Sequence, residues 1–275
     1  MPHGQSLHNP LPDFLDARVE PPSEVAALGL PLLPAGSQRD GLALVCNEEG
    51  LHLELRAGRR CTRLLVDFLS GALQYRAKIN QARAEMLVRA CGVPRDGAPW
   101  HIVDATAGLG RDAFLLAFCG AQVTLLERHP VLALLLTDAL RDLALAGVDA
   151  GVHAPHAECA ARLHLIAQDA VVYLPALADA ARPQVVYCDP MFPPRNKSAA
   201  TSGEMQVLHA LIGATADAGD LLAAALHTAT RRVVVKRPLR AAPLAASSLE
   251  NIHPSYALSG RASRFDVYLI GTLPL

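Results

Sequence analysis

Short apolar runs alternate with longer amphipathic or apolar stretches from Trp100 to the C-terminus. The runs predict strands, and the stretches predict helices. This alternation is typical of a parallel sheet covered by helices on both faces. The pattern therefore predicts a doubly wound α/β sheet. The predicted strands lie near 101–105, 121–126, 163–167, 184–189, 232–236 and 264–270, and the predicted helices near 111–119, 130–146, 170–180, 203–228 and 241–249.

Residues 1–98 have a different pattern. Two apolar runs, 42–46 and 51–55, flank Asn47-Glu-Glu-Gly50, a connection of hairpin length. Because Gly92 to Pro99 is rich in Gly and Pro, it predicts a boundary between a small N-terminal α+β lobe, 1–98, and a main domain, 99–275. The lobe's other predicted elements are a helix from Ser23 to near Gly29, a strand at 63–69 and a helix from Gln81 to Cys91.

Composition narrows the class of protein. Of 275 residues, 51% are hydrophobic and 19% are charged, which is typical of a compact globular chain. The longest apolar runs are too short to span a membrane, and the N-terminus lacks a secretory signal, so the expected location is cytoplasmic. The net charge is only −1, but cations outnumber carboxylates from Arg195 onward. The basic C-terminal part is thus the better candidate for contact with nucleic acid.

The cysteines and histidines predict neither disulfides nor a metal site. The six cysteines are scattered without a CxxC pair, and they are interpreted as small buried hydrophobic residues. His153, His156 and Cys159 are close in sequence, but no fourth ligand is evident. We therefore expect no metal.

A nucleotide-binding pattern follows the first strand of the main domain. Asp104 ends that strand, and Gly108 and Gly110 form a turn in which a ligand can approach the backbone. Glu127, at the end of the next strand, suits the hydroxyls of a ribose. Asp169, at the end of the third, suits an adenine amino group, with Ala170 against the ring. For each acid the alternative is a helix N-cap or a surface charge.

The negative charge of Asp104 favours S-adenosylmethionine (SAM) over NAD as the bound nucleotide. Gly108 to Ala113 also fits G-x-G-x-x-A, so an NAD-dependent oxidoreductase remains an alternative. A carboxylate at Asp104 would lie near a pyrophosphate, however, and it suits the α-amino group of SAM better. The pattern therefore favours SAM as the cofactor.

The segment Asp189-Pro-Met-Phe192 follows the fourth strand. It resembles the [Asp/Asn]-Pro-Pro-[Tyr/Phe] signature of methyltransferases that act on exocyclic amino groups. Such chemistry needs an oxygen that accepts the amine hydrogens and a ring that stacks on the extruded base, and Asp189 and Phe192 are the catalytic candidates. Met191 replaces the second Pro of the signature, which leaves open which backbone carbonyl assists. A Pro-rich turn that closes a core strand is the alternative.

Five segments together carry a more specific resemblance. In order along the chain they are DATAGLGRDAF, LLERHP, VVYCDPMFPPRNKSA, RVVVKRP and RFDVYL. They resemble the ribosomal RNA small-subunit methyltransferase J family, which methylates N2 of a guanine near the 3′ end of 16S rRNA. The resemblance covers about 100–270 well and the N-terminal lobe loosely.

The resemblance implies a Rossmann-like class I SAM-dependent methyltransferase fold, with seven strands and an antiparallel last strand. It makes 99–275 the catalytic domain. In the N-terminal lobe, 1–98, the basic stretch of Arg76, Lys78, Asn80 and Arg83 is a candidate for RNA contact, and a solvated helix face is the alternative. The positions that the resemblance implies around SAM are Arg111, Asp112, Glu127, Arg128, Asp169, Ala170 and Asp189, of which Arg111 and Arg128 come from it alone. The guanine N2 identity also comes from the resemblance alone.

Four cations near the predicted chemical motif are candidates for RNA contact, because Lys and Arg hold phosphates. They are Arg195, Lys197, Lys236 and Arg237. The expected partner is 16S rRNA or the small ribosomal subunit, and no obligate protein partner is evident. The alternatives left open are methylation of another exocyclic amine of RNA or DNA, an NAD-dependent oxidoreductase and a non-catalytic RNA-binding module.

Overall fold

The computed structural model describes residues 10–34, 37, 39–149, 155–191, 203–213, 217–245 and 252–271. The strands are Phe14–Ala17 (β1), Gly41–Asn47 (β2), Gly50–Ala57 (β3), Arg60–Leu64 (β4), His101–Asp104 (β5), Gln122–Leu126 (β6), Leu163–Ile166 (β7), Val185–Cys188 (β8), Arg232–Pro238 (β9), Tyr256–Ser259 (β10) and Ser263–Leu269 (β11). The α-helices are Ser23–Ala26 (α1), Gly71–Arg76 (α2), Ile79–Ala84 (α3), Met86–Cys91 (α4), Arg111–Phe118 (α5), Pro130–Asp149 (α6), Pro155–Ala161 (α7), Ala170–Tyr173 (α8), Gly203–Ile212 (α9) and Ala218–Thr228 (α10).

The chain divides into two compact units. One is drawn from Met1–Val66, His129–Asp138 and Phe192–Thr215, and the other from Asp67–Arg128, Ala139–Met191 and Ala216–Leu275. The residues between Val66 and the predicted boundary at 98 thus group with the second unit, where α4 packs on β9 and β11. The assignment of separate domains to 1–98 and 99–275 stays a prediction.

The first unit contains a four-stranded sheet in the order β1-β2-β3-β4. β2 and β3 form the predicted hairpin, in which Asn47 pairs with Gly50 and Glu48 and Glu49 form the turn. Asp138 accepts a hydrogen bond from the Leu51 amide at 2.9 Å and so secures the start of β3. The strand β1 was missed by the sequence analysis. The predicted strand at 63–69 was placed too late, because β4 ends at Leu64 and Asp67 accepts a hydrogen bond from the Leu69 amide in a turn.

The second unit contains a seven-stranded sheet in the order β10-β11-β9-β8-β5-β6-β7. The strands from β9 to β7 are parallel, whereas β11 runs antiparallel to β9, as the resemblance implied. Helices cover both faces, with α8 and α10 against the core of β5, β8 and β9, and α5 against β6 and β7. All six strands predicted from Trp100 onward are present, and β10 was missed.

Several predicted helices are interrupted, each for a local reason. The helix predicted over 203–228 is two helices, because Gly213 adopts a left-handed φ of 69° after α9. The helix predicted over 170–180 ends at Tyr173, followed by 3-10 turns at Leu174–Ala176 and Asp179–Ala181. Pro175 has no N–H to continue it. The helix predicted over 81–91 breaks at Glu85, which has an extended ψ of 137°.

The predicted helix at 241–249 is wrong for the part that the structure describes, since 241–245 are not helical. Arg264 donates to the carbonyl of Ala241, and Arg237 donates to that of Ala242. In a helix, these two carbonyls would accept hydrogen bonds from backbone amides four residues later, but here they are bound to guanidinium groups. Pro243, in addition, has no backbone N–H to donate. Cys61 is exposed, so the expectation that every cysteine is buried was also wrong.

Among the described residues, no helix is long and apolar enough to cross a membrane. In the same residues, no group of three or more His, Cys, Asp or Glu could hold a metal ion. His156 contacts the Gln74 amide oxygen at 2.9 Å, whereas His153 lies outside the described residues.

An ion pair within β11, between Arg264 and Asp266, gives the first prediction. Asp266 is 1% exposed and accepts two hydrogen bonds from Arg264, at 2.7 and 3.0 Å. Asp266→Ala removes this acceptor and leaves a largely buried cation, so we expect the free energy of unfolding to fall by about 3 kcal/mol. Urea denaturation followed by the fluorescence of Trp100, the single tryptophan, measures the loss in this unit.

A matched control removes an exposed partner. Arg141 and Asp142 form an ion pair with side chains 56% and 49% exposed, and Asp142→Ala should leave stability unchanged within error. Equal effects of the two substitutions would contradict the structural role given to Asp266.

Candidate functional site

The switch point of the seven-stranded sheet lies between β5 and β8. From β5 the chain continues to β6 and β7 on one side, and it then crosses to β8 on the other side. Ligands of doubly wound sheets bind at such a point, beyond the carboxyl ends of the strands. Asp104 is the last residue of β5, and Asp189 directly follows β8. The two predicted acids therefore lie at the same edge, on neighbouring strands.

The turn after β5 is held by hydrogen bonds to two carboxylates. The Thr106 amide donates to Asp104 at 3.1 Å, and the Gly108 amide donates to Glu127 at 2.9 Å. Gly108 and Gly110 have φ values of 54° and 68°, which a residue with a Cβ rarely adopts. Gly110 directly precedes α5, so the N-terminus of this helix follows the turn at the end of β5. The turn is thus shaped for close approach of a ligand.

Asp104 is almost completely enclosed, with 1% exposure. Burial raises its pKa to about 8, while the hydrogen bond from the Thr106 amide opposes the shift and the charges of Asp112 and Asp189 add to it. A carboxylate in this position lacks solvation, which a cationic ligand group would replace. A cation favours the ionised form of Asp104 and an anion opposes it, so the site favours the α-amino and sulfonium groups of SAM over a pyrophosphate.

A second cluster joins α5 to the ends of β8 and β9. Lys236 donates to Asp189 at 2.7 Å and to Asp112 at 3.0 Å. The Tyr187 hydroxyl donates to the same Asp112 oxygen at 2.6 Å, and the Thr106 hydroxyl accepts a hydrogen bond from the Asp189 amide at 2.6 Å. These contacts fix both carboxylates at the sheet edge.

The charges in this cluster determine its ionisation. Burial raises the pKa of Asp189, Lys236 lowers it and Asp112 raises it, and the balance is above the ordinary value. Burial by itself would lower the pKa of Lys236, but Asp112 and Asp189 outweigh that effect and raise it. Lys236 is therefore a permanent cation between two carboxylates.

A third group lies beyond β6 and β7. Arg128 donates to Asp169 at 3.2 Å and also pairs with Asp217. Asp169 caps α8, since its side chain accepts a hydrogen bond from the Val171 amide at 2.8 Å. Ala170 is buried in the core of the sheet. The N-cap alternative for Asp169 is thus present in the structure, beside the predicted cofactor position.

Comparisons with known proteins decide the family. Residues 27–270 match the model of a family described as SAM-dependent methyltransferase. The ribosomal RNA small-subunit methyltransferase J of Thioalkalivibrio sulfidiphilus is 45% identical over 93% of this chain and 95% of its own length. That of Pseudomonas aeruginosa is 43% identical over 88% and 86% of the two chains. The chain belongs to the ribosomal RNA small-subunit methyltransferase J family.

A solved structure agrees with this membership. The crystal structure of a SAM-dependent methyltransferase from Neisseria gonorrhoeae is 33% identical, covers 95% of this chain and 97% of its own, and has a TM-score of 0.66. The predicted class I methyltransferase fold and the SAM cofactor are confirmed. The oxidoreductase and non-catalytic alternatives were wrong, because the family is one of SAM-dependent methyltransferases.

The methyltransferase brings together most of the residues predicted for its site. Asp104, Asp112, Asp189 and the glycine turn meet at one sheet edge, with Glu127 bound to Gly108. Arg111 starts α5 and is exposed. Phe192, Arg195 and Lys197 lie outside the described residues. Their roles, like those of the other site residues, stay predictions.

Two of the cations predicted to contact RNA have other partners in this methyltransferase. Lys236 is bound within the carboxylate cluster. Arg237 is 8% exposed and donates to the carbonyl of Ala242 from two nitrogens. Its burial disfavours contact with a phosphate. Tyr187 and Thr106 were missed, although period-two alternation places Tyr187 on the opposite face from its neighbours in β8.

Proposed function

We propose that this methyltransferase transfers the methyl group of SAM to the exocyclic N2 of a guanosine near the 3′ end of 16S rRNA. The observation that carries the proposal is the position of Asp189. It follows β8 at the switch point, beside the buried Asp104 and the glycine turn. Family membership supports the ribosomal RNA substrate, and the resemblance of the sequence motifs supports guanine N2.

The chemistry requires an acceptor for the amine hydrogens. The lone pair of an aromatic amine is delocalised into the ring, and a carboxylate that accepts its hydrogens makes the nitrogen more nucleophilic. SAM supplies an electrophilic methyl group on a sulfonium. Lys236 holds Oδ2 of Asp189, and Oδ1 has no donor among the residues that the structure describes. We therefore assign Oδ1 as the acceptor.

The remaining site residues are proposed to bind and orient. Asp104 faces the α-amino group of SAM, and Glu127 and Asp169 hold its ribose and adenine. Phe192 stacks on the extruded guanine, because an aromatic ring stabilises a base removed from its helix. No strong base is needed, since the proton leaves the methylated amine after transfer.

Recognition of the RNA is proposed to use cations beyond the site. Arg195 and Lys197 follow the chemical motif in sequence and are the best candidates to hold flanking phosphates. The N-terminal lobe, 1–98, is proposed to add RNA contacts, and the partner is 16S rRNA or the assembled small subunit. A ribosomal substrate also supports the expected cytoplasmic location.

Methyl transfer from labelled SAM to RNA tests this proposal. The substrates are small ribosomal subunits and free 16S rRNA from a strain that lacks the gene, with large subunits as a matched control. We expect label in 16S rRNA from one or both of the first two preparations and none in the large subunits. Label in large-subunit RNA alone would contradict the proposal.

A further inference from the structure

Lys236 connects the two carboxylates that the proposed reaction uses. It lies on β9, and its ammonium contacts one oxygen, Oδ2, of Asp112 and one oxygen, Oδ2, of Asp189. Asp112 belongs to α5, and Asp189 follows β8, so three elements converge on one cation. The motif spacing did not predict this role, and Lys236 was predicted to contact RNA.

The register of the sheet explains why this lysine reaches the cluster. In the parallel pairing of β8 with β9, Cys188 is opposite Val235. Lys236 is therefore one position further along its strand, level with Asp189. Its side chain is 29% exposed, and two carboxylates already surround the ammonium. An RNA phosphate would have to displace one of them, which disfavours a phosphate contact at this position.

Lys236 offsets the negative charge of the carboxylates in this cluster. The titratable groups around the ammonium are Asp112 on α5, Asp189 after β8, Asp104 at the end of β5 and the buried Tyr187 hydroxyl. Like charges at short distance in a partly buried site oppose ionisation. One fixed cation offsets the repulsion between the Asp112 and Asp189 carboxylates, and it lowers the pKa of Asp189 against the effect of burial. It also holds one oxygen of each in place.

We propose that Lys236 is a positioning residue for methyl transfer, whose ammonium holds Oδ2 of Asp189 and of Asp112 and so presents Oδ1 of Asp189 to the target amine. The inference rests on the proposed function. It adds a residue that acts through Asp189 and touches neither the guanine nor the methyl group.

Lys236→Met removes the cation and keeps most of the apolar stem. At neutral pH we expect kcat to fall by about 100-fold while KM for the RNA changes by less than about threefold. Because loss of the cation raises the pKa of Asp189, the acid limb of the kcat profile should move to higher pH. Lys236→Arg keeps the charge, so its acid limb should stay near that of the wild type, with a smaller loss of kcat.

Arg141→Met is the control: it also replaces a cation with methionine, and the Arg141 side chain is 56% exposed, pairs with Asp142 and lies outside both the cluster and the N-terminal lobe. It should leave kcat and the pH profile unchanged. A phosphate contact gives the opposite pattern for Lys236→Met: a raised KM, a weaker salt dependence and an unchanged pH profile. That pattern would overturn the inference.

A second readout is independent of any RNA. The titration of the Asp189 carboxyl carbon can be followed by NMR in wild type and in Lys236→Met, with Asp189→Asn identifying the signal. We expect a higher pKa in Lys236→Met, and an unchanged pKa would overturn the inference. If the Met variant does not fold, the same comparison uses Lys236→Gln. Absence of methyl transfer by the wild type would overturn only the proposed function, because this titration does not require a substrate.

Discussion

Asp189→Ala should abolish methyl transfer while the fold is retained. The substitution removes the oxygen that accepts hydrogens from the target amine, and a loss of roughly a thousandfold in kcat is expected for such a group. The seven-stranded sheet should remain, because the backbone amide of Asp189 still donates to the Thr106 hydroxyl and Lys236 still pairs with Asp112. Single-turnover kinetics with saturating SAM measures the loss.

Asp189→Asn is the matched variant. Its amide oxygen can still accept a hydrogen bond, so its activity should lie between those of the wild type and Asp189→Ala. Thermal unfolding of all three proteins shows whether the fold is intact. Wild-type turnover by a folded Asp189→Ala protein would contradict the role given to this carboxylate.

Asp104→Asn should have opposite effects on stability and on cofactor binding. With a folded-state pKa of about 8 and an unfolded value near 3.8, the folded protein binds more protons than the unfolded chain between these values. Stability therefore falls as pH rises from about 4 to 8, and the substitution removes this loss. At pH 7 we expect the cofactor-free variant to be more stable by on the order of 2 kcal/mol.

The same substitution should weaken SAM binding by on the order of 100-fold, because the neutral amide cannot pair with the cationic amino group. Below pH 8, SAM binding to the wild type should release a proton from Asp104, and binding to the variant should not. Calorimetry in buffers of different ionisation enthalpy measures that proton. Asp142→Asn, an exposed position, is the control. Equal proton release by wild type and Asp104→Asn would contradict the assignment.

The positions of Asp104 and Asp189 could be predicted from the sequence, because the ends of short apolar strands can be recognised in it. Asp104 and Asp189 each end a short apolar run, and parallel strands bring such ends to one edge. The glycines after Asp104 mark the turn. The contact of Lys236 with both Asp189 and Asp112 could not be predicted in this way, because it depends on the pairing of β9 with β8 and on the direction of α5.

Lys236 and Arg237 illustrate this limit. Both end the same strand and both were assigned to RNA, yet neighbouring side chains of a strand face opposite sides of the sheet. Lys236 reaches the carboxylate cluster, whereas Arg237 reaches the carbonyl of Ala242. Alternation predicts that they differ, but only the tertiary structure gives the partners. For the helix predicted over 203–228, by contrast, the sequence does contain a stop signal, Gly213, whose φ of 69° follows the end of α9 at Ile212.

The identity of the methylated nucleoside distinguishes guanine N2 from every other target of this methyltransferase. Small ribosomal subunits from a strain that lacks the gene are methylated by the purified protein, and the 16S rRNA is digested to nucleosides for mass spectrometry. We expect N2-methylguanosine at one position near the 3′ end, and we expect none when Asp189→Ala replaces the wild type. A methyl group on another base, or on a ring nitrogen of guanine, would contradict it.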